Sequence, residues 1–252
     1  MIKNNKYLNI LDTQNLKLSH FKKIVSNNRV NLFLNVKKNN IFKEYINFAK
    51  SFGSELKYGK KSYHKFTEIS QAEIGLHTDG VSCLKYNKIP KLIFFYVKKW
   101  PSKSKGYFKV ASIKKLLSKI PKKHLKILKE QKLQYLNYFN KPKKNLDNEI
   151  SFQKKCLRRV KNRWTLDMFL PLKKISKNLR WQYQMKFENL NLKQSKKILS
   201  EIRKLAENKE CCIKFPLQNN SIMVFDNEQF FHGREKFNKP VKRTLYRVQI
   251  LN

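Results

Sequence analysis

Two short motifs far apart in the chain constrain it most: His77-Thr78-Asp79 within AEIGLHTDG, and His232 within FDNEQFFHGREKF. Two imidazoles and one carboxylate are the donor set of a facial triad, which grips Fe(II) on one face and leaves the other positions open. On an extended strand end, side chains i and i+2 point to the same side, so His77 and Asp79 can reach one ion. A third donor has to come from elsewhere in the sequence, and His232 is the natural supplier. Any fold for this chain must therefore bring the neighbourhood of residue 77 against that of residue 232.

Basic residues follow His232 at defined intervals. Arg243 lies eleven residues past it and Arg247 fifteen past it, within KRTLYRVQI, whose β-branched and aromatic content reads as a strand. Positions four apart on a strand share one face. A planar guanidinium suits bidentate recognition of a carboxylate, although arginine on an edge strand is most often an exposed charge.

With these motifs in order, the chain resembles the Fe(II)- and 2-oxoglutarate-dependent dioxygenases of the taurine dioxygenase and clavaminate synthase type. The residues that carry the resemblance are GLHTDG, PKLIFFYVKKWPSKSKG, VFDNEQFFHGREKF and RTLYR, and together they extend over most of residues 25 to 252. The resemblance implies an α+β chain built on a double-stranded β-helix, or jelly roll, with surrounding helices and the site in the mouth of the barrel. It implies Fe(II) on His77, Asp79 and His232 as metal ligands and catalytic residues, with 2-oxoglutarate and O₂ as co-substrates. Arg243 would take the distal carboxylate of 2-oxoglutarate, and Arg247 an acidic group of the prime substrate. Glu73, four residues before His77, would face the same cavity and take an amine. The implied reaction is hydroxylation, or desaturation, of an unactivated carbon in a small amino-acid-like or carboxylate-bearing metabolite, with release of succinate and CO₂. A carboxylate at Asp79 fills the position that related halogenases leave to chloride. The chain departs from the family where a threonine commonly touches 2-oxoglutarate: the corresponding stretch is Lys105-Gly106-Tyr107-Phe108, so Ser104, another hydroxyl or Arg243 alone must serve.

Composition bears on partners. With 57 Lys+Arg against 17 Asp+Glu, the formal charge of +40 would ordinarily point to nucleic acid or an anionic membrane. The lysines are scattered instead of gathered on one arm or helix. The chain is also rich in Asn, Ile, Phe and Tyr, as a genome rich in A and T would make it. A small-molecule substrate is therefore expected, and nucleic acid is not; oligomeric state is not legible. A dioxygenase acting on nucleic acid and a non-catalytic jelly roll remain the alternatives. No window approaches the roughly 20 apolar residues of a membrane span, so a cytoplasmic protein is expected. Cys83, Cys156, Cys211 and Cys212 have no C-x-x-C spacing, which suggests neither a zinc site nor a disulfide framework.

Periodicity supplies the local elements. Residues 16 to 27 read as helical, and Val30 to Val36 as a strand. Asn39 or Asn40 can cap a helix running from Ile41 towards Gly53. Leu92 to Val97 is a strand, and Ser112 to Leu128 is two helical pieces broken at Pro121. Leu192 to Glu207 is an amphipathic helix with Leu192, Ile198, Leu199, Ile202 and Leu205 in one stripe. Cys211 to Phe215 and Ser221 to Phe225 are strands joined by a turn. Residues 138 to 155, polar and aperiodic, are a surface loop or a lid over the metal. No interior linker is visible, so residues 1–252 are expected to form one domain. A lone histidine is more often a satisfied polar residue than a ligand, and His20, His64 and His124 are read so, with His124 on a solvent face. Asp226 and Asn227 are read as shaping a turn.

Overall fold

The structure is a computed structural model that describes residues 6–13, 18–23, 25, 29–36, 41–67, 69–84, 86–101, 105–136, 150–173 and 184–251. In its first part the chain runs through β1 (Leu8–Asp12), β2 (Val30–Leu34), α1 (Ile41–Lys50), β3 (His64–Phe66), β4 (Ile69–Ser70), β5 (Ile74–His77) and β6 (Leu92–Lys99). It continues with β7 (Phe108–Ser112), α2 (Ile113–Leu117), α3 (Lys122–Glu130), β8 (Leu133–Leu136), β9 (Ile150–Lys154), β10 (Leu157–Val160) and β11 (Arg163–Leu166). The last part holds β12 (Gln184–Phe187), α4 (Leu192–Ala206), β13 (Cys212–Phe215), β14 (Ser221–Asp226), β15 (Phe230–Arg234), β16 (Val241–Lys242) and β17 (Thr244–Ile250).

Two sheets carry the site. One is six-stranded in the order β1-β2-β14-β6-β17-β3, the other four-stranded in the order β13-β7-β15-β5. The β6 sequence LIFFYV explains why the larger sheet is a middle layer. Ile93, Phe95 and Val97 point into the core between the sheets, while Leu92, Phe94 and Tyr96 pack on the other side with α1. A strand covered on both faces needs a continuous apolar run, whereas one-sided burial gives alternation. The α1 residue Tyr45 is fully buried there, and its hydroxyl reaches the carbonyls of Phe94 (3.0 Å) and Tyr246 (3.1 Å). The expected cap at Asn39 or Asn40 lies outside the described residues.

The outer face of the smaller sheet is covered by α2, α3, α4 and the β8, β10, β11 and β12 strands, around Ala111, Leu133, Leu166, Phe187, Leu199 and Phe231. Helix α4 opens with a capping box: the Asn191 side chain accepts from Gln194 N (2.9 Å), and Asn191 N donates to the Gln194 side chain (3.1 Å). Its buried stripe differs from the expected one. Leu192, in the first turn, is exposed, and Ser195 is buried with its hydroxyl accepting from Phe187 N at 2.9 Å. His124 also departs from expectation: it is buried, with Nε2 2.6 Å from Glu201 Oε2 of α4. The lysine-rich surface of α3 therefore does not include its histidine.

Tertiary pairing separates two strands that sequence places side by side. β13 joins the four-stranded sheet beside β7, and β14 joins the six-stranded sheet beside β6. The intervening turn thus crosses from one layer to the other. Of the stretch from 138 to 155 expected as a loop or lid, residues 138–149 lie outside the described residues, and Ile150–Lys154 forms β9, paired with β8. Among the described residues no helix is long and apolar enough to cross a membrane.

Candidate metal centre

His77 ends β5 and His232 sits in the middle of β15, and the two residues pair directly across the antiparallel ladder. Directly opposed residues project to the same face, so their rings lie 4.3 Å apart between centroids. The face is the inner one: His232 also opposes Val110 of β7, a member of the core between the sheets. Asp79 follows in the turn after β5, with Oδ1 3.7 Å from His77 Nε2 and 3.8 Å from His232 Nε2. One ligand atom from each of the three residues lies within 4.8 Å of the others. The close crossing requires glycine at 233, where a Cβ would lie 2.7 Å from the Ile74 carbonyl oxygen and 2.9 Å from that of Gly75.

The electrostatics suit metal donors. His77 Nδ1 is 2.9 Å from the Gly75 carbonyl oxygen. Donation to that carbonyl places the proton on Nδ1 and leaves the Nε2 lone pair for a ligand position. Burial lowers the pKa of both imidazoles, and with the neighbouring His77 it pushes His232 down to about 3. Both rings are thus held neutral, the form that binds metal. Burial opposes the Asp79 charge, but Arg247 above all, with Gln249, outweighs it and holds the carboxyl below its usual range.

Arg247 is where the structure adds most to the sequence reading. Its Nη1 donates to both Asp79 oxygens, at 2.9 Å and 3.0 Å, and Gln249 Nε2 donates to Asp79 Oδ2 at 2.6 Å. Tyr58 completes the set, accepting from Arg247 Nη2 at 3.1 Å and bonding Gln249 Oε1. Asn227, read from sequence as a turn residue, does stand in the turn after β14 and also clamps the metal loop: it accepts from Asp79 N (2.8 Å) and donates to the carbonyls of Asp79 (3.0 Å) and Pro90 (2.8 Å). Phe169 lies against His77 with ring centroids 5.2 Å apart and planes 16° from parallel. Gln249 had a signal in sequence, since it is two residues past Arg247 on one strand. Phe169 and Tyr58 had none.

The other expected site residues divide. Arg243 is buried at 9% exposure, with its guanidinium carbon 5.9 Å from the ring centres of both Phe66 and Trp100. Glu73 is bonded to Lys109 Nζ at 2.5 Å, and the same ammonium lies 3.4 Å from Glu207 at the end of α4. Lys109 alternates with the inward Phe108 and Val110, so this trio belongs to the outer face of the smaller sheet. Glu73, expected beside Arg247 at one cavity, is thus engaged by Lys109, while Arg247 is engaged by Asp79. Ser104 lies outside the described residues. At the Lys105-Gly106 turn the Phe237 ring sits where a Cβ of residue 106 would be, 2.1 Å from it.

The model of the family described as taurine catabolism dioxygenase TauD, TfdA family matches residues 38–249. The chain belongs to this family. The match covers both halves of the donor cluster and the strand that carries Arg247. Among solved structures, the PvcB protein from Pseudomonas aeruginosa is similar at 15% identity and a TM-score of 0.72, over 98% of this chain and 87% of that one. AAD-2 in complex with Mn(II) and N-oxalylglycine is similar at 12% identity and a TM-score of 0.66, over 99% of this chain and 96% of that one. A putative alpha-ketoglutarate-dependent taurine dioxygenase from Burkholderia xenovorans matches at 14% identity and a TM-score of 0.66, over 99% and 88% of the two chains. At such identities these likenesses bear on the fold, the expected jelly roll with helices. Comparison with curated protein sequences gave no match. Members of this TauD family are dioxygenases, and this chain is an Fe(II)- and 2-oxoglutarate-dependent oxygenase.

Proposed function

We propose that His77, Asp79 and His232 hold the catalytic Fe(II), that Arg243 takes the distal carboxylate of 2-oxoglutarate, and that the chain oxidises an unactivated carbon of a small carboxylate-bearing metabolite. The observation that carries the proposal is the convergence of three ligand atoms within 4.8 Å on the inner face of the barrel. The fit is chemical as well as geometric: two neutral imidazoles and one ionised carboxylate are the donors a facial triad needs. When bound, iron with 2-oxoglutarate and O₂ supplies the oxidising power to break a C–H bond, with succinate and CO₂ released.

The chain's own part is positioning. The Gly75 carbonyl keeps the His77 ring turned with Nε2 inward, and Asn227 keeps Asp79 at a set height above β5. Arg247 and Gln249 orient the carboxylate, leaving Oδ1 as the atom nearest both imidazoles. Phe95, Phe108 and Phe225 surround His232, and Phe169 lies against His77, so apolar rings flank both imidazoles. Arg247, the cation beside Asp79, is the group an acidic end of the prime substrate would approach. An amine-selective role for Glu73 lacks geometric support while Lys109 holds its carboxylate, so the substrate is proposed as a carboxylate without a required amine. Hydroxylation is the proposed outcome, with desaturation following if a second hydrogen is lost.

The test is a screen of small carboxylates, amino acids and sulfonates for stimulated succinate formation with Fe(II) and 2-oxoglutarate. Carboxylates are expected to stimulate, with or without an amine. Stimulation confined to compounds that lack a carboxylate would refute the substrate class.

A further inference from the structure

A groove of about 750 Å³ lies between the β10–β11 hairpin and one end of the six-stranded sheet, and it shares no lining residue with the proposed metal centre. That volume is within the roughly 300–1,000 Å³ of small-molecule sites. One wall is the hairpin, where Val160 and Arg163 pair directly, project to the same side and both line the groove. The other wall is Phe52, just past α1, with Lys91, which precedes β6, and Leu251, which follows β17. Backbone bonds hold this wall: Lys91 N donates to the Ile250 carbonyl and Leu251 N to the Ser54 carbonyl, each at 2.8 Å. The hairpin is tied down by the Thr165 hydroxyl, which donates to the carbonyl of the buried Glu228 at 2.6 Å.

Lys91, Lys161 and Arg163 line the groove, and the acids near it are already engaged. Arg163 Nη2 donates to Asp226 (3.0 Å) and Glu228 (3.2 Å), and Glu228 also accepts from Arg158 (3.1 Å). Lys91 and Lys161 form no ion pair among the described residues. Two ammonium charges thus stand uncompensated beside a half-exposed guanidinium. The backbone at Lys161 points the same way: it has φ 52°, the left-handed conformation that glycine and asparagine adopt most readily. Glycine would serve the turn better, so what a lysine adds at the exposed tip is its charge. A phosphate monoester carries about −1.5 to −2 at pH 7, and compact ammonium charges suit its oxygens. The apolar surface of Phe52, Val160 and Leu251 is left for the rest of such a molecule.

We propose that this groove is a second ligand site, which binds a small phosphate monoester: Lys91, Lys161 and Arg163 take the phosphate, and Phe52, Val160 and Leu251 cover an apolar body. The site needs no metal, so it stands or falls independently of the function proposed above. Glu228 follows Asn227, the clamp of the metal loop, so the ligand would adjoin the turn that fixes Asp79.

The experiment titrates the metal-free full chain with phenyl phosphate, inorganic phosphate and phenol by calorimetry. Wild type, Lys161→Gly, Lys91→Met and Arg247→Ala are compared, with circular dichroism as the control of folding. Phenyl phosphate should bind wild type, and more tightly than inorganic phosphate or phenol. A charge-assisted hydrogen bond corresponds to about 10- to 100-fold in affinity, so each lysine variant should weaken phenyl phosphate by about that factor. Lys161→Gly relieves the left-handed turn, so lost binding in that variant does not come from a disturbed fold. Arg247→Ala should stay within about twofold of wild type. No binding by wild type, or binding that both lysine variants retain in full, overturns the site. Binding lost with Arg247→Ala and kept by the lysine variants places the probe at the metal centre and overturns it as well. Inorganic phosphate that binds as tightly as phenyl phosphate overturns the apolar half of the ligand class.

Discussion

Replacing Asn227 by alanine should loosen the metal loop more than it loosens the fold. The side chain makes three hydrogen bonds, to Asp79 N, Asp79 O and Pro90 O, at 2.8 Å, 3.0 Å and 2.8 Å, and it is fully buried. Alanine leaves one donor and two acceptors without their partner. Each such group costs about 1–3 kcal/mol, so the low end for the three is roughly 3 kcal/mol, less whatever a water entering the space recovers. Asp79 is both the anchored residue and a proposed metal donor, so part of that loss falls on the site. Outer contacts of metal ligands are typically worth about 10- to 100-fold in metal affinity. The assay is urea denaturation with and without Mn(II), beside direct titration of the metal. The expected result is destabilisation by about 3 kcal/mol together with at least roughly tenfold weaker metal binding. A variant that loses stability but binds Mn(II) like wild type would refute the clamp and leave Asn227 an ordinary buried polar residue.

Other outcomes follow from the same geometry. His77→Ala, Asp79→Ala and His232→Ala should each abolish succinate release on folded protein; full turnover by any one removes that residue from the triad. Asp79→Ala should be the least stable of the three, because it strands the Arg247 guanidinium that now holds both carboxylate oxygens, a loss of about 3–5 kcal/mol for a buried pair broken on one side; thermal melts in metal-free buffer measure this. Arg243→Ala should raise the 2-oxoglutarate concentration needed for half-maximal succinate formation far more than Arg247→Ala, and the opposite order would exchange the two roles. Gly233→Ala puts a Cβ 2.7 Å from the Ile74 carbonyl, so β15 and β5 must separate and carry His232 away from His77; unchanged stability and metal affinity would count against that reading.

The donor triad was legible because it depends on local rules. The H-x-D motif keeps His77 and Asp79 two residues apart, although Asp79 stands in the turn after β5 and not on the strand, and a histidine followed by spaced arginines supplies the rest, so motif and spacing carried the family, the fold and the cofactors. Alternation expected Arg243 and Arg247 on one strand face, but Arg243 precedes β17 and the pairing register shifts between Thr244 and Leu245, so the rule reaches only Arg247 and Gln249 within the strand. What alternation cannot supply is the group on the other side of the gap. Arg247 has Asp79 opposite it, and Glu73 has Lys109 on the outer face, because β5, β7 and β17 come together only when the two sheets pack. The same reason hid Phe169, whose ring lies against that of His77. It also hid Asn227, a turn former by residue type, whose amide meets Asp79 from the end of β14. Residue type and periodicity thus determined which side chains face inward, while sheet packing alone decided which charges meet, since Coulomb and hydrogen-bond energies depend on distances that no one-dimensional pattern contains.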